Sequence, residues 1–171
     1  MVKLQKVASI HMPIYLLLLV TAFSILGCRK ENRKEIPFVS YVDIHPAGLD
    51  LVHTHHFVLR DIPGVPYEKI LEAQPAYVRF SLIYGENDLD FLRDVTVDAV
   101  TDTSRQEMGY HEFIPITNSR ELELNPSIVD LREHVTQEYF DIMLNLEFRS
   151  VPVAETRLRI DFGVLAKMDE E

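Results

Sequence analysis

His53-Thr54-His55-His56 is the segment richest in groups that could hold a ligand. On an extended chain His53 and His55 project from one face, with Cβ atoms about 7 Å apart. Two imidazoles so placed can form half of a Zn²⁺ or Cu²⁺ site, with His45 or Asp43 from a neighbouring strand completing it. The same residues also suit the wet face of an edge strand, which carries polar, mildly amphipathic side chains. No second segment with ligand spacing accompanies them.

Other chemistry-bearing groups are poorly arranged for catalysis. His111 and Glu112 are adjacent, so on a strand they point to opposite faces and cannot act as one acid–base pair. His134 follows Glu133 at the end of an expected helix, where a cation complements the helix dipole. Asp88, Asp90 and Asp94 cluster with Glu86 at a spacing reminiscent of a calcium loop, but the glycine and the terminal glutamate of such a loop are missing. An ordinary acidic turn is the simpler reading. No serine sits in Gly-x-Ser-x-Gly, and six glycines in the chain form neither a phosphate-cradling loop nor a dinucleotide fingerprint. The expectation is a protein that is not an enzyme and needs no cofactor.

The N-terminus carries an address. Lys3 and Lys6 precede an uncharged run of thirteen residues, Ile14 to Leu26, with Pro13 at its leading edge. That is the length of a signal-peptide core and well short of the roughly 20 residues that span a bilayer as a helix. The run ends Ile25-Leu26-Gly27-Cys28, and Cys28 is the only cysteine in the chain, so no intrachain disulfide is available. This ending resembles the lipobox of bacterial lipoproteins. The resemblance covers residues 1–28 and implies cleavage before Cys28, a diacylglycerol on its thiol and usually an acyl chain on its new amine. About 0.8 kcal/mol per buried CH₂ makes two or three such chains a durable anchor. Arg29 stands where an aspartate would, by analogy, retain a lipoprotein in the inner membrane. The implied location is the cell envelope, with the outer membrane favoured where the source has one.

Residues 28–171 number 144, one domain's length. Losing Lys3 and Lys6 with the leader leaves 15 basic against 27 acidic side chains, a net charge of about −12. That balance disfavours nucleic acid and anionic lipid as partners. Residues 29–35, Arg-Lys-Glu-Asn-Arg-Lys-Glu, read as a solvated tether. The expected organisation is a leader over 1–27, a lipidated tether over 28–36 and one domain over 37–168.

That domain alternates with a period of two. Phe140, Ile142, Leu144, Leu146 and Phe148 interleave with Asp141, Met143, Asn145, Glu147 and Arg149, and Leu158, Ile160, Phe162 and Val164 repeat the pattern. Such alternation marks strands with one buried and one wet face, as in antiparallel sheets. Ser150–Ala154, with Pro152, would join the two as a hairpin. Opposite charges across its ladder favour the register Arg149 with Glu155 and Glu147 with Arg157. Further strands are expected at 38–44, 52–60, 76–84, 95–101 and 109–116. Short helices are expected from Pro66 to Glu72 and from Asn125 to His134, each with proline in its first turn.

The predicted fold is mostly β: a two-layer antiparallel β-sandwich of about seven strands with two short crossover helices. In general look it is similar to immunoglobulin-like and late-embryogenesis-abundant-type sandwiches. The expected function is a non-enzymatic, membrane-anchored module that meets another envelope protein or a surface polymer. The alternative is a metal- or small-ligand-binding lipoprotein using His53–His56.

Overall fold

Among the described residues, period-two patterning becomes nine strands in two antiparallel sheets. The computed structural model describes residues 32–46, 52–58 and 64–169. The expected signal peptide, the lipobox-like segment and Cys28 lie outside the described residues. Along the chain come β1 (Arg33–Ile44), β2 (Val52–Val58), a 3-10 turn (Tyr67–Lys69), β3 (Ile70–Tyr84), β4 (Leu92–Val100) and β5 (Arg105–His111). Then follow β6 (Glu121–Glu123), β7 (Asn125–Pro126), the short helix α1 (Arg132–Val135), β8 (Tyr139–Phe148) and β9 (Thr156–Met168). One sheet has the order β1-β9-β3-β6 and the other β2-β8-β4-β5-β7, and neither is closed.

Strands occupy all seven expected regions, but the fifth is Arg105–His111 and not 109–116, and residues 59–60 of the second lie outside the described residues; the two added strands are two and three residues long. Alternation is kept through β8, where Phe140, Ile142, Leu144 and Leu146 are buried. It continues through β9, where Leu158, Ile160, Phe162, Val164, Ala166 and Met168 are buried. Four phenylalanines join the sheets. Phe38 stacks on Phe162 at 4.7 Å within one sheet, and Phe57 stacks on Phe140 at 5.6 Å within the other. Edge-on contacts of 5.4–5.6 Å cross between the pairs, an arrangement that aromatic quadrupoles favour.

The expected β8–β9 hairpin is not formed. β8 lies between β2 and β4, whereas β9 lies between β1 and β3 in the opposite sheet. Residues 150–155 carry the chain from one sheet to the other, a separation of about 10 Å. Pro152 is buried in that passage, and the Val153 and Ala154 N–H groups donate to Glu86 Oε1 at 2.5 and 3.1 Å. Each charge used to argue the register finds a partner elsewhere. Glu147 pairs with Arg93, Arg157 grips Asp43 with two bonds of 2.6 Å, and Arg149 donates to the carbonyls of Asp90 and Ile114.

Both expected helices shrink to single turns. After the turn at Tyr67–Lys69, residues 70–72 already belong to β3, with Ile70 opposite Met168 and Glu72 opposite Lys167. One isolated helical turn gains a single backbone bond, while β9 offers this segment a continuous ladder. Asn125 and Pro126 pair with Tyr110 and Gly109 instead of capping a helix. The N–H of Arg132 donates instead to the Asp130 carboxylate at 2.9 Å. α1 joins β7 to β8 within one sheet, so it is not a crossover. The tether is shorter than expected as well. β1 starts at Arg33, in register with Lys167, and Ile36 is buried.

His134 departs furthest from expectation. It is 0% exposed, and neither ring nitrogen has a hydrogen-bond partner among the described residues. It is therefore not a helix-end cation. Burial pushes its pKa below the usual histidine value; the backbone of Ser104 and Ala99 and the Glu133 charge oppose that only in part. A base with a depressed folded-state pKa contributes stability that is complete above the unfolded value, about 6.5. That stability is lost as pH falls below it. His134→Leu should change stability by no more than about 1 kcal/mol at pH 7.5. It should also flatten the loss between pH 7 and 5 seen in urea denaturation. An unchanged pH profile would show that this ring is not what titrates.

Candidate functional site

The edge strand β2 divides its histidines between two faces. His56 points outward, where its Nδ1 lies 2.7 Å from Asp141 Oδ1 and its ring tilts over Tyr139 at 4.8 Å. His53 and His55 share the inner face with Phe57, opposite Leu144 and Ile142 of β8. They do not lie on the wet face. His53 Nε2 is buried without a hydrogen-bond partner among the described residues. Burial, and then the nearby His53, hold His55 below the ordinary histidine pKa, so its ring is neutral at pH 7.

The partners proposed for them from sequence are placed elsewhere. Asp43 sits on the outer side of β1, held by Arg157 and approached by the Tyr84 hydroxyl at 3.5 Å. Those contacts, led by the Arg157 hydrogen bonds, keep its carboxyl below the usual range. His45 is exposed and faces Glu155 at 3.8 Å. Among the described residues no group of three or more histidine, cysteine, aspartate or glutamate side chains could hold a metal. The structure keeps the pair His53–His55 together and takes His45 and Asp43 away from it.

The acidic segment is structural. Asp90 accepts the N–H groups of Thr117 and Asn118 at 3.0–3.3 Å, and Asp88 accepts that of Asp90 at 3.1 Å. Asp94 accepts from Phe113 N at 2.7 Å and from Arg93 at 2.8 Å, which lowers its pKa in that order of importance. With Glu86 bound to the 153–154 backbone, these carboxylates pin loops together. His111 Nδ1 lies 3.1 Å from the Glu112 carbonyl, a purely local contact.

A second candidate emerges on the outer face of the four-stranded sheet. Tyr77, Arg79, Ser81 and Ile83 of β3 line an open groove of about 540 Å³ with Glu121, Arg159 and Asp161. Outward side chains at every second position of β3 make one wall, and β9 supplies the floor. Gly163 sets the depth. A Cβ there would lie 2.9 Å from Tyr77 Cδ1 and closer still to Cε1, so the tyrosine ring rests directly on the β9 backbone. Burial, then Glu35 and Asp161, raise the Tyr77 pKa and keep the phenol protonated.

Arg159 is engaged by Asp161 at 2.6 and 3.0 Å, whereas Arg79 makes no hydrogen bond or ion pair with another described residue. Farther along the face Arg157 lies over the Tyr84 ring at 5.6 Å, and Tyr41 is half exposed. Rings, a free guanidinium, a hydroxyl and carboxylates on an open face suit a multi-point grip on a polar surface or chain. The alternation over 76–84 marked Arg79 and Ser81 as outward. The floor and the far wall come from residues 40 to 80 positions away, and Gly163 within a strand was the available signal.

No protein-family model matches the sequence, and no curated protein matches it significantly.

Proposed function

We propose that this protein is an envelope lipoprotein, anchored by acyl chains on Cys28, whose β-domain is a two-layer sandwich acting as a non-enzymatic binding module. Its working surface is the outer face of the four-stranded sheet, and its partner is another envelope protein or a surface polymer. The observation that carries this reading is Arg79, unpaired beside the Tyr77 ring in an open groove. An exposed cation that makes no ion pair with another described residue favours an incoming acceptor group. The exposed side chains of Tyr41, Ile83 and Tyr84 extend the same face and add apolar area for contact.

The test uses a photo-cross-linking residue at Ile83 in intact cells, with the same label at Ile128 as control. Both side chains are exposed, at 47% and 95%. The expected result is one dominant adduct from Ile83, lost on Arg79→Glu, and none from Ile128. In the same cells Cys28→Ala should move the protein from the membrane to the soluble fraction. Equal adducts from both labels would sink the assignment of the face. Unchanged membrane association of the Cys28→Ala protein would sink the lipid anchor.

A further inference from the structure

Cross-strand register arranges the outer face of the four-stranded sheet in rows. Tyr77 of β3 stands opposite Gly163 of β9, and Arg79 stands opposite Asp161. The next row runs across all four strands as Glu121, Ser81, Arg159 and Tyr41. Successive rows are about 6.8 Å apart and neighbouring strands about 4.8 Å. The first row is a platform. A Cβ added to Gly163 would sit nearest Cε1 of Tyr77, with Cδ1 and Cζ at 2.9 and 3.0 Å. Were that position off the ring's edge, the two flanking carbons would be farther from it, so it lies over the ring's face. The phenol ring therefore rests flat on the β9 backbone and turns its other face to the groove.

The rows beyond the platform carry hydrogen-bonding groups of both kinds. Arg79 offers N–H donors and the Glu121 carboxylate offers acceptors, and neither side chain makes a hydrogen bond or ion pair with another described residue. Two guanidinium groups and two carboxylates line the groove, so the lining has no net charge to draw a polyanion or a polycation. Among the described lining residues Ile83 is the one aliphatic side chain. A protein partner would want the reverse, because the centre of a protein–protein interface is depleted of charged residues. A sugar hydroxyl donates and accepts at once, and so uses an unpaired guanidinium and an unpaired carboxylate in the same groove. A pyranose also has a face of C–H groups, which fits an exposed aromatic ring.

We propose that this groove binds a neutral glycan chain, with one pyranose ring stacked on Tyr77 and the hydroxyls of the following sugars engaged by Arg79 and Glu121. The inference rests on the reading of this face as the working surface, and it chooses the polymer over the protein as partner. The Arg159–Asp161 pair, held at 2.6 and 3.0 Å, is the fixed floor between the platform and the Glu121 row. Ser81 adds a hydroxyl beside it, and the half-exposed ring of Tyr41 ends that row. The groove is open along the face, which suits a chain that continues past it at both ends.

The experiment runs the full-length chain, in a detergent without sugar, on native gels cast with a soluble polysaccharide. The probes are an α-glucan, a mixed-linkage β-glucan, a galactomannan and an α-mannan, with polygalacturonate as the charged contrast. At least one neutral polymer should retard the protein, and polygalacturonate should retard it less. Tyr77→Ala and Arg79→Ala should each weaken binding roughly tenfold, as expected for a lost stacking ring or a lost charged hydrogen bond. Tyr77→Phe keeps the platform and should stay within about threefold. Tyr139→Ala, which removes an exposed ring of the other sheet, should change nothing. Tyr77→Ala also uncovers Gly163, but Arg79 has no described partner to lose, so its variant tests the groove without loosening the sheet. Retardation by none of the neutral polymers, or stronger retardation by polygalacturonate, would overturn the glycan. A single protein adduct from the label at Ile83 would in that case still leave the face assigned. Retardation that both variants keep would overturn the groove as its site.

Discussion

Gly85→Ala should destabilise the domain by about 3–5 kcal/mol, the sum of a strained backbone and an overpacked contact. Gly85 ends β3 with φ of 108°, a conformation that side chains rarely adopt. Space is missing too. An added Cβ would fall 2.5 Å from the Glu155 carbonyl oxygen and 2.6 Å from Thr156 Cα, and backbone cannot swing aside as a side-chain end can. The turn out of β3 is thus pressed against the entry to β9, where Thr156 Oγ1 also accepts the Glu86 N–H at 3.3 Å. Gly64→Ala is the matched control, with φ of 74° but open space around it, and should cost about 1 kcal/mol. Chemical denaturation of both variants gives the comparison. Equal losses would mean that the contact with β9 is not maintained in solution.

Phe162→Ala should cost about 3–5 kcal/mol, the range for emptying a buried phenylalanine site. Phe162 is fully buried in β9, stacked on Phe38 and meeting Phe57 edge-on at 5.4 Å across the sheets. Its neighbours are held by their own ladders, so little collapse into the void is available. Phe57 belongs to the same cluster but lies on the edge strand and is only partly buried. Phe57→Ala should therefore cost clearly less, because water and the open side relieve the cavity. Calorimetric unfolding of the two variants decides it. If Phe57→Ala costs as much, the centre of the core lies nearer β2 than the burial pattern implies.

How much of this was legible depends on what alternation encodes. A period of two in 140–148 and 156–164 says that each strand buries one face, and both do. It does not say which sheet a strand joins. A hairpin and a pair facing each other across a core demand the same pattern, and Arg149, Glu155 and Arg157 find their partners in the Asp90 and Ile114 carbonyls, His45 and Asp43 instead. Helix signals at Pro66 and Asn125 were real local preferences that a neighbouring ladder outweighed. His53 and His55 were legible as a same-face pair, but the sequence does not distinguish the inner from the outer face of an edge strand. Ser40 gave no sign at all, because a lone serine in an apolar alternation is unremarkable until its hydroxyl is found buried without a partner.

The first described strand depends on the last described one. Among the described residues β1 is laddered only to β9, from Arg33 opposite Lys167 to Ile44 opposite Thr156, and β3 leans on β9 for most of its length. Until the thirteen-residue β9 is available, β1 has no ladder partner among the described residues and β3 has only the three-residue β6. A nonsense codon anywhere before Thr156 would yield no smaller working version. It would leave long unpaired edges, to be cleared by proteolysis or lost to aggregation.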